Sequence, residues 1–209
     1  MTIRTRLTRN MVLTGAAAAL VIGVSAGAAL AVNATWSVKP GGAFSFSGSG
    51  QVKDTKTGTV AKCTSIKMSG TLKKGHGLAG AGLGTITKGS FTGCHVASLS
   101  VTVSVHGLPW KLNATSFKSG VTTGTISGID LVASNPACKA TLDGTGAGKN
   151  NGTTKVTYTN STGKLKLLGP GGNLHSYKVT GCLGLINNGD PQQASGGGSV
   201  SPKQTITSP

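Results

Sequence analysis

Glutamate is absent from this 209-residue chain, and its acids are four aspartates, Asp54, Asp130, Asp143 and Asp190. Such a scattered set offers no ready carboxylate pair for sugar hydrolysis, and without an Asp-x-Asp spacing it builds no cage for a hard cation. Aromatic residues are scarce too, eight in all. Arginine occurs only as Arg4, Arg6 and Arg9. Its planar fork is the side chain suited to phosphate and guanine edges, so its absence elsewhere excludes sequence-specific nucleic-acid recognition. Gly-x-Ser-x-Gly does not occur after residue 34, and the nearest look-alike, Ser47-Gly48-Ser49-Gly50, is a polar run beside a strand. The sequence therefore predicts a protein that is not an enzyme, with no catalytic residues, no metal and no cofactor.

What is present begins with a leader. The three arginines precede an apolar run from Met11 to Val32, and small residues follow at once, with peptidase-like sites after Ala31 or Ala34. Residues 1–34 are assigned as a helical signal peptide, and the mature chain is expected to be secreted, extracellular or associated with the cell envelope, without a membrane span after processing. Removing Arg4, Arg6 and Arg9 leaves 17 positive residues, all lysine, against four acids, a net of +13. Diffuse attraction to polyanions follows from that balance, and outside a cell those would include anionic wall polymers, held weakly and released by salt. The lysines are spread along the chain, as they would be on the solvated faces of strands.

Cys63, Cys94, Cys138 and Cys182 are an even set in an exported chain, with no short Cys-x-x-Cys to suggest zinc or redox exchange. Two disulfides are expected. Cys94 and Cys182 close the same local pattern, Phe91-Thr92-Gly93-Cys94 and Val179-Thr180-Gly181-Cys182, which favours Cys63–Cys94 and Cys138–Cys182 among three possible connectivities.

Apolar and polar residues alternate through Ser65-Ile66-Lys67-Met68, Val101-Thr102-Val103-Ser104-Val105, Trp110-Lys111-Leu112-Asn113-Ala114 and Lys164-Leu165-Lys166-Leu167. This is the period of half-buried strands, with lysine outward and Ile, Leu, Met or Trp inward. Turn signals recur every ten to twenty residues, among them Pro40-Gly41-Gly42, Gly75-His76-Gly77, Asn150-Asn151-Gly152 and Asn188-Gly189-Asp190. The expected fold is all-β, an antiparallel sandwich or barrel with two disulfides. One domain is assigned to residues 35–190. Residues 191–209 are either a flexible tail or a closing strand entered through Ser195-Gly196-Gly197-Gly198-Ser199.

Trp36, Phe44, Phe46 and Trp110 lie on alternating stretches and are expected to face a core. Three residues are candidates for ligand binding: Trp110, His106 just before it at a strand end, and His76 in a Gly-rich loop where backbone could approach a ligand. His95, beside Cys94, carries no metal-site meaning once that thiol is oxidised, and His175, on an expected strand, reads as a satisfied, partly buried side chain.

Several segments resemble one family. They are residues 108–115 (LPWKLNAT), 120–129 (GVTTGTISGI), 156–165 (VTYTNSTGKL), 172–175 (GNLH), 181–191 (GCLGLINNGDP) and the ending 201–209 (SPKQTITSP). Together they are similar to an uncharacterised family of small secreted proteins common in actinomycetes such as Streptomyces, over nearly the whole mature chain. That resemblance implies export and a disulfide-bearing β fold, and no known activity. The functional expectation is a secreted, non-catalytic β-module, binding or structural at the cell envelope, with weak affinity for anionic cell-wall polymer. The alternative is a carrier of small molecules or an inhibitor of an exported enzyme, which a pocket lined by Trp110 would favour. A hydrolase would need several of His76, His106, His175 and the four aspartates to converge in one cleft.

Overall fold

With alternation at the strand period and no apolar stripe at helical spacing, the chain has only one regular way to satisfy its backbone, the β ladder. A computed structural model describes residues 35–208, in which there are fourteen strands and no helix. The leader assigned to residues 1–34 lies outside the described residues. In chain order the strands are β1 (Trp36–Lys39), β2 (Gly42–Asp54), β3 (Val60–Leu72), β4 (Gly75–Leu78), β5 (Gly84–Val96), β6 (Leu99–His106) and β7 (Trp110–Lys118). They continue as β8 (Val121–Asn135), β9 (Cys138–Asp143), β10 (Gly152–Thr159), β11 (Lys164–Gly169), β12 (His175–Thr180), β13 (Gln192–Ser201) and β14 (Thr205–Thr207).

The antiparallel pairings close on themselves. From β10 the hydrogen-bonded order runs through β11, β13, β2, β3, β5, β6 and β8, and β8 pairs again with β10. Closure leaves these eight strands without a free edge, which makes the ring a closed barrel. The fifteen-residue β8 is the seam. Its first half lies between β7 and β10, and its second half between β6 and β9. A three-stranded sheet, β14-β1-β4, lies apart from the ring in the pairing order.

Inward positions supply one core, and Trp36, Phe44, Phe46 and Trp110 all belong to it with Ile66, Met68, Ile86, Ile126 and Ile129. All 17 lysines are exposed. Both expected disulfides are present. Cys63 and Cys94 face each other directly in the β3–β5 ladder, and Cys138, at the start of β9, ties down residues 181–190 through Cys182.

One segment differs from expectation, and another decides between the two alternatives for the C-terminal residues. Gly75-His76-Gly77 is not a turn; it forms β4, whose residues pair with β1 as Trp36↔Leu78 and Val38↔Gly75. Flanking pairing outweighs the poor strand propensity of glycine in so short an edge strand. Residues 192–201 form β13, paired along ten residues with β2. Its glycines have a steric reason: a Cβ on Gly198 would run into the Ser47 carbonyl and the Gly48 Cα, and one on Gly48 into the Gly197 carbonyl. Two strands approach closely there, and only glycine fits both.

Candidate functional site

The barrel interior is not completely filled. An apolar cavity of about 160 Å³ lies within it, lined from all round the ring. Phe46 and Gly50 come from β2, Ile66 and Met68 from β3, Phe91 from β5, Val103 from β6, Ile126 and Leu131 from β8, and Leu165 and Leu167 from β11. Trp110 contributes its indole from β7. Protein interiors ordinarily pack to crystal-like density, so the space needs a cause. It lies in small residues at inward positions: Gly50, Ala61, Ala133, Ala140 and Ala194 all line the cavity, and Ala133 stands directly across from Ala140 in the β8–β9 ladder. A second void of about 70 Å³, bounded by Phe44, Leu72, Tyr158, Gln204 and Ile206, shares the Leu165 side chain with the first.

Polar groups reach the larger cavity at few points. The Gln192 Nε2 donates to Asp54 Oδ2 at 2.8 Å, and the Ser176 hydroxyl donates to the Asn187 carbonyl at 2.7 Å. Both side chains are therefore committed to the wall. Asp54 also accepts from the backbone N–H of Lys56 and Thr57 at the β2–β3 turn. Burial pushes its carboxyl pKa up, but these hydrogen bonds favour the charged form more strongly and the net direction is down. Thr154 is different. It is 2 % exposed, lines the cavity from β10, and its hydroxyl has no hydrogen-bond partner. From residues 181–190, Ile186 also lines the cavity, whereas Leu183 in the same segment is 90 % exposed.

The three residues expected to bind a ligand do not form one cleft. Trp110 is buried, and its Nε1–H donates to the His106 carbonyl at 2.9 Å, so the indole is a cavity wall and not a solvent-facing stacking platform. The His106 ring is exposed on the outer face. His76 is exposed on β4, where its Nδ1 lies 2.8 Å from the Ser37 hydroxyl.

The aspartates serve local structure. Asp143 is wholly buried and accepts five backbone N–H groups, from Gly144, Lys149, Asn150, Asn151 and Gly152, at 2.6–3.1 Å. It thereby fastens the 144–152 loop. Asp190 accepts from the backbone and side chain of Asn187. Asp130, across the β6–β8 ladder from His106, is buried with one carboxylate oxygen unpartnered. Burial pushes its pKa up and the neighbouring Asp143 adds to this, against the pull of His106 and Lys178. The Tyr158 hydroxyl, buried at the smaller void, donates to the Gln204 carbonyl and accepts from the Gln204 N–H, and burial raises its pKa. Among the described residues no three of His, Cys, Asp and Glu are grouped as a metal site, and no helix is long and apolar enough to cross a membrane.

Sequence reasoning raised a pocket lined by Trp110 only as an alternative and did not place it inside a closed barrel. Its only signal was the small residues on otherwise apolar strand faces, and these could be assigned to the inside only once register was known.

No curated protein and no solved structure matches the chain. A family model matches residues 8–207, nearly the whole length that the sequence resemblance covered, but with a description of activity where that resemblance implied none. The chain belongs to the family described as alkane oxidation protein activator PraA/PraB-like.

Proposed function

We propose that the protein is an exported, non-catalytic accessory of alkane oxidation that carries a small aliphatic molecule inside its barrel. The observation that carries this reading is the apolar cavity of about 160 Å³ walled by Trp110, Ile126, Leu131 and their neighbours. Leaving such a volume empty costs on the order of 4 kcal/mol relative to a filled core, at about 24 cal/mol per Å³. An apolar occupant recovers much of that loss by restoring contacts along the wall. Eight-stranded barrels are about the size that holds one small ligand. The family's description as an activator supports an accessory role, and two disulfides suit an oxidising compartment.

The test is hexane binding, followed by methyl NMR titration, in the wild type and in Ala140→Leu. Leucine at this inward position fills part of the space. The variant is expected to bind hexane at least roughly tenfold more weakly while its melting temperature stays level or rises, since cavity filling stabilises when it fits. Equal affinity in the two proteins would sink the carrier reading.

A second reading concerns the outside of the wall. All 17 lysines are exposed, while Asp54, Asp130 and Asp143 are buried, so the outer face carries almost unopposed positive charge. Weak attachment to anionic cell-wall polymer at the envelope follows. Retention on isolated wall is expected to fall steeply as salt rises from about 50 to 500 mM, because these contacts are screened. Retention indifferent to salt would count against it.

A further inference from the structure

The two voids lie one above the other along the strands. On β2 the smaller is bounded by Phe44 and the larger by Phe46, on β7 by Leu112 and Trp110, and on β10 by Val156 and Thr154. Each pair is two successive residues on the same side of a strand. The voids are therefore stacked in the strand direction, and Leu165 of β11 is the side chain common to both walls. Its level in the ring is thinly furnished. Across the ladders the register row reads Tyr158, Leu165, Gly198, Gly48 and Ile66, so β13 and β2 bring no side chain beside it.

From this we infer that the two voids are one elongated chamber divided by Leu165, and that Leu165 sets the length of the chain the protein carries. The inference rests on the carrier reading and gives its cargo a shape: an uncharged, unbranched aliphatic chain lying along the strands. Benzene in an apolar void of about 150 Å³ takes about 25 Å³ per carbon. On that scale the larger void of about 160 Å³ suits about six carbons, and the further space of about 70 Å³ suits about three more. With Leu165 in place, hexane fits the larger void and the last carbons of a longer chain gain nothing. Charge is excluded by the walls. No Lys, Arg, His, Asp or Glu lines either void, and the polar side chains that do, Gln51 and Thr141 among them, are neutral, so a carboxylate would lie there without a counter-ion.

The experiment measures hexane and nonane affinities by methyl NMR titration for the mature chain and for Leu165→Ala and Leu167→Ala. Leu167 lines only the larger void, so its truncation adds similar space without joining the two. The wild type is expected to bind nonane within about threefold of hexane, because the extra methylenes stay outside the larger void. In Leu165→Ala nonane gains at least about tenfold over hexane, since each methylene newly buried contributes about fourfold. Intermolecular NOEs then run from nonane to the methyl groups of Leu72 and Ile206, which bound the smaller void. In Leu167→Ala the nonane-to-hexane ratio stays near that of the wild type. The inference is overturned if the two variants raise the ratio alike, if nonane in Leu165→Ala never reaches Leu72 or Ile206, or if the wild type already prefers nonane by about tenfold. In each of these cases hexane binding to the wild type still supports a carrier. If hexane does not bind the wild type, the carrier reading and this inference fail together. Should Leu165→Ala fail to fold, Leu165→Val decides: a rise of about fourfold in the ratio, the worth of one methylene, supports the role given to Leu165, and an unchanged ratio contradicts it.

Discussion

Asp143→Ala is expected to lower the unfolding free energy by roughly 3–5 kcal/mol, far more than replacement of Asp190. The carboxylate is fully buried and gathers five backbone N–H groups. Hydrogen bonds to a charged acceptor contribute about 1.5–3 kcal/mol each, but the loss is less than five times that. The amides of Lys149, Asn150 and Asn151 belong to exposed residues and water can serve them in the variant, whereas Gly144 and Gly152 are buried. Two stranded donors and the lost charge-assisted bonds set the figure. For a chain of this size that is a fall in melting temperature of about 10 °C. Asp190→Ala, which removes hydrogen bonds to the exposed Asn187, is the control, with an expected loss under about 1 kcal/mol. A thermal melt of Asp143→Ala within a degree or two of wild type would contradict the role given to this residue.

Reduction of the disulfides should have the larger effect. The bridges close segments with sequence separations of 31 and 44, and for loops of this length the restriction of the unfolded chain amounts to about 4 kcal/mol each. Domains ordinarily have a net stability of about 5–15 kcal/mol, so losing both bridges removes most of it. Denaturant unfolding with and without reductant measures this: the reduced protein is expected to unfold at a much lower guanidinium concentration. The paired Cys-to-Ser variants separate the contributions. Cys63 and Cys94 remain neighbours in the β3–β5 ladder when the bond is gone. Cys182 lies in the segment carrying Ile186 to the cavity, so the Cys138/Cys182 variant should also weaken hexane binding. Unchanged unfolding in reductant would show that the bridges add nothing to the fold.

Much of the strand content was legible in the sequence because it rests on local alternation. Residues 101–105, 110–114 and 164–167 fall within β6, β7 and β11, and the inward aromatics Trp36, Phe44, Phe46 and Trp110 are buried as their phase required. The repeated Thr-Gly-Cys ending gave the disulfide pairing. Closure was not legible. It depends on β8 running for fifteen residues and changing partners midway, which is decided by register far along the chain. The cavity was hidden for a related reason. Irregularities such as the one between Gly48 and Gly50 opposite Ile66 and Cys63 shift the inward phase of a strand, so Ala61 and Gly50 cannot be placed inside by counting from a neighbouring apolar residue. His106 and His76 were chosen for their neighbours in sequence, whereas the closed wall puts their rings outside and the indole of Trp110 within.

An apolar wall with small residues at several inward positions gives this barrel room for a cargo, and the location of the cargo is the decisive point. Intermolecular NOEs between hexane and the methyl groups of the mature protein measure it. Contacts from hexane protons to Ile126, Leu131, Ala133 and Leu167, all of which line the cavity, are the predicted result. Contacts confined to the exposed Leu168 and Leu183, with none to the inward methyls, would contradict it.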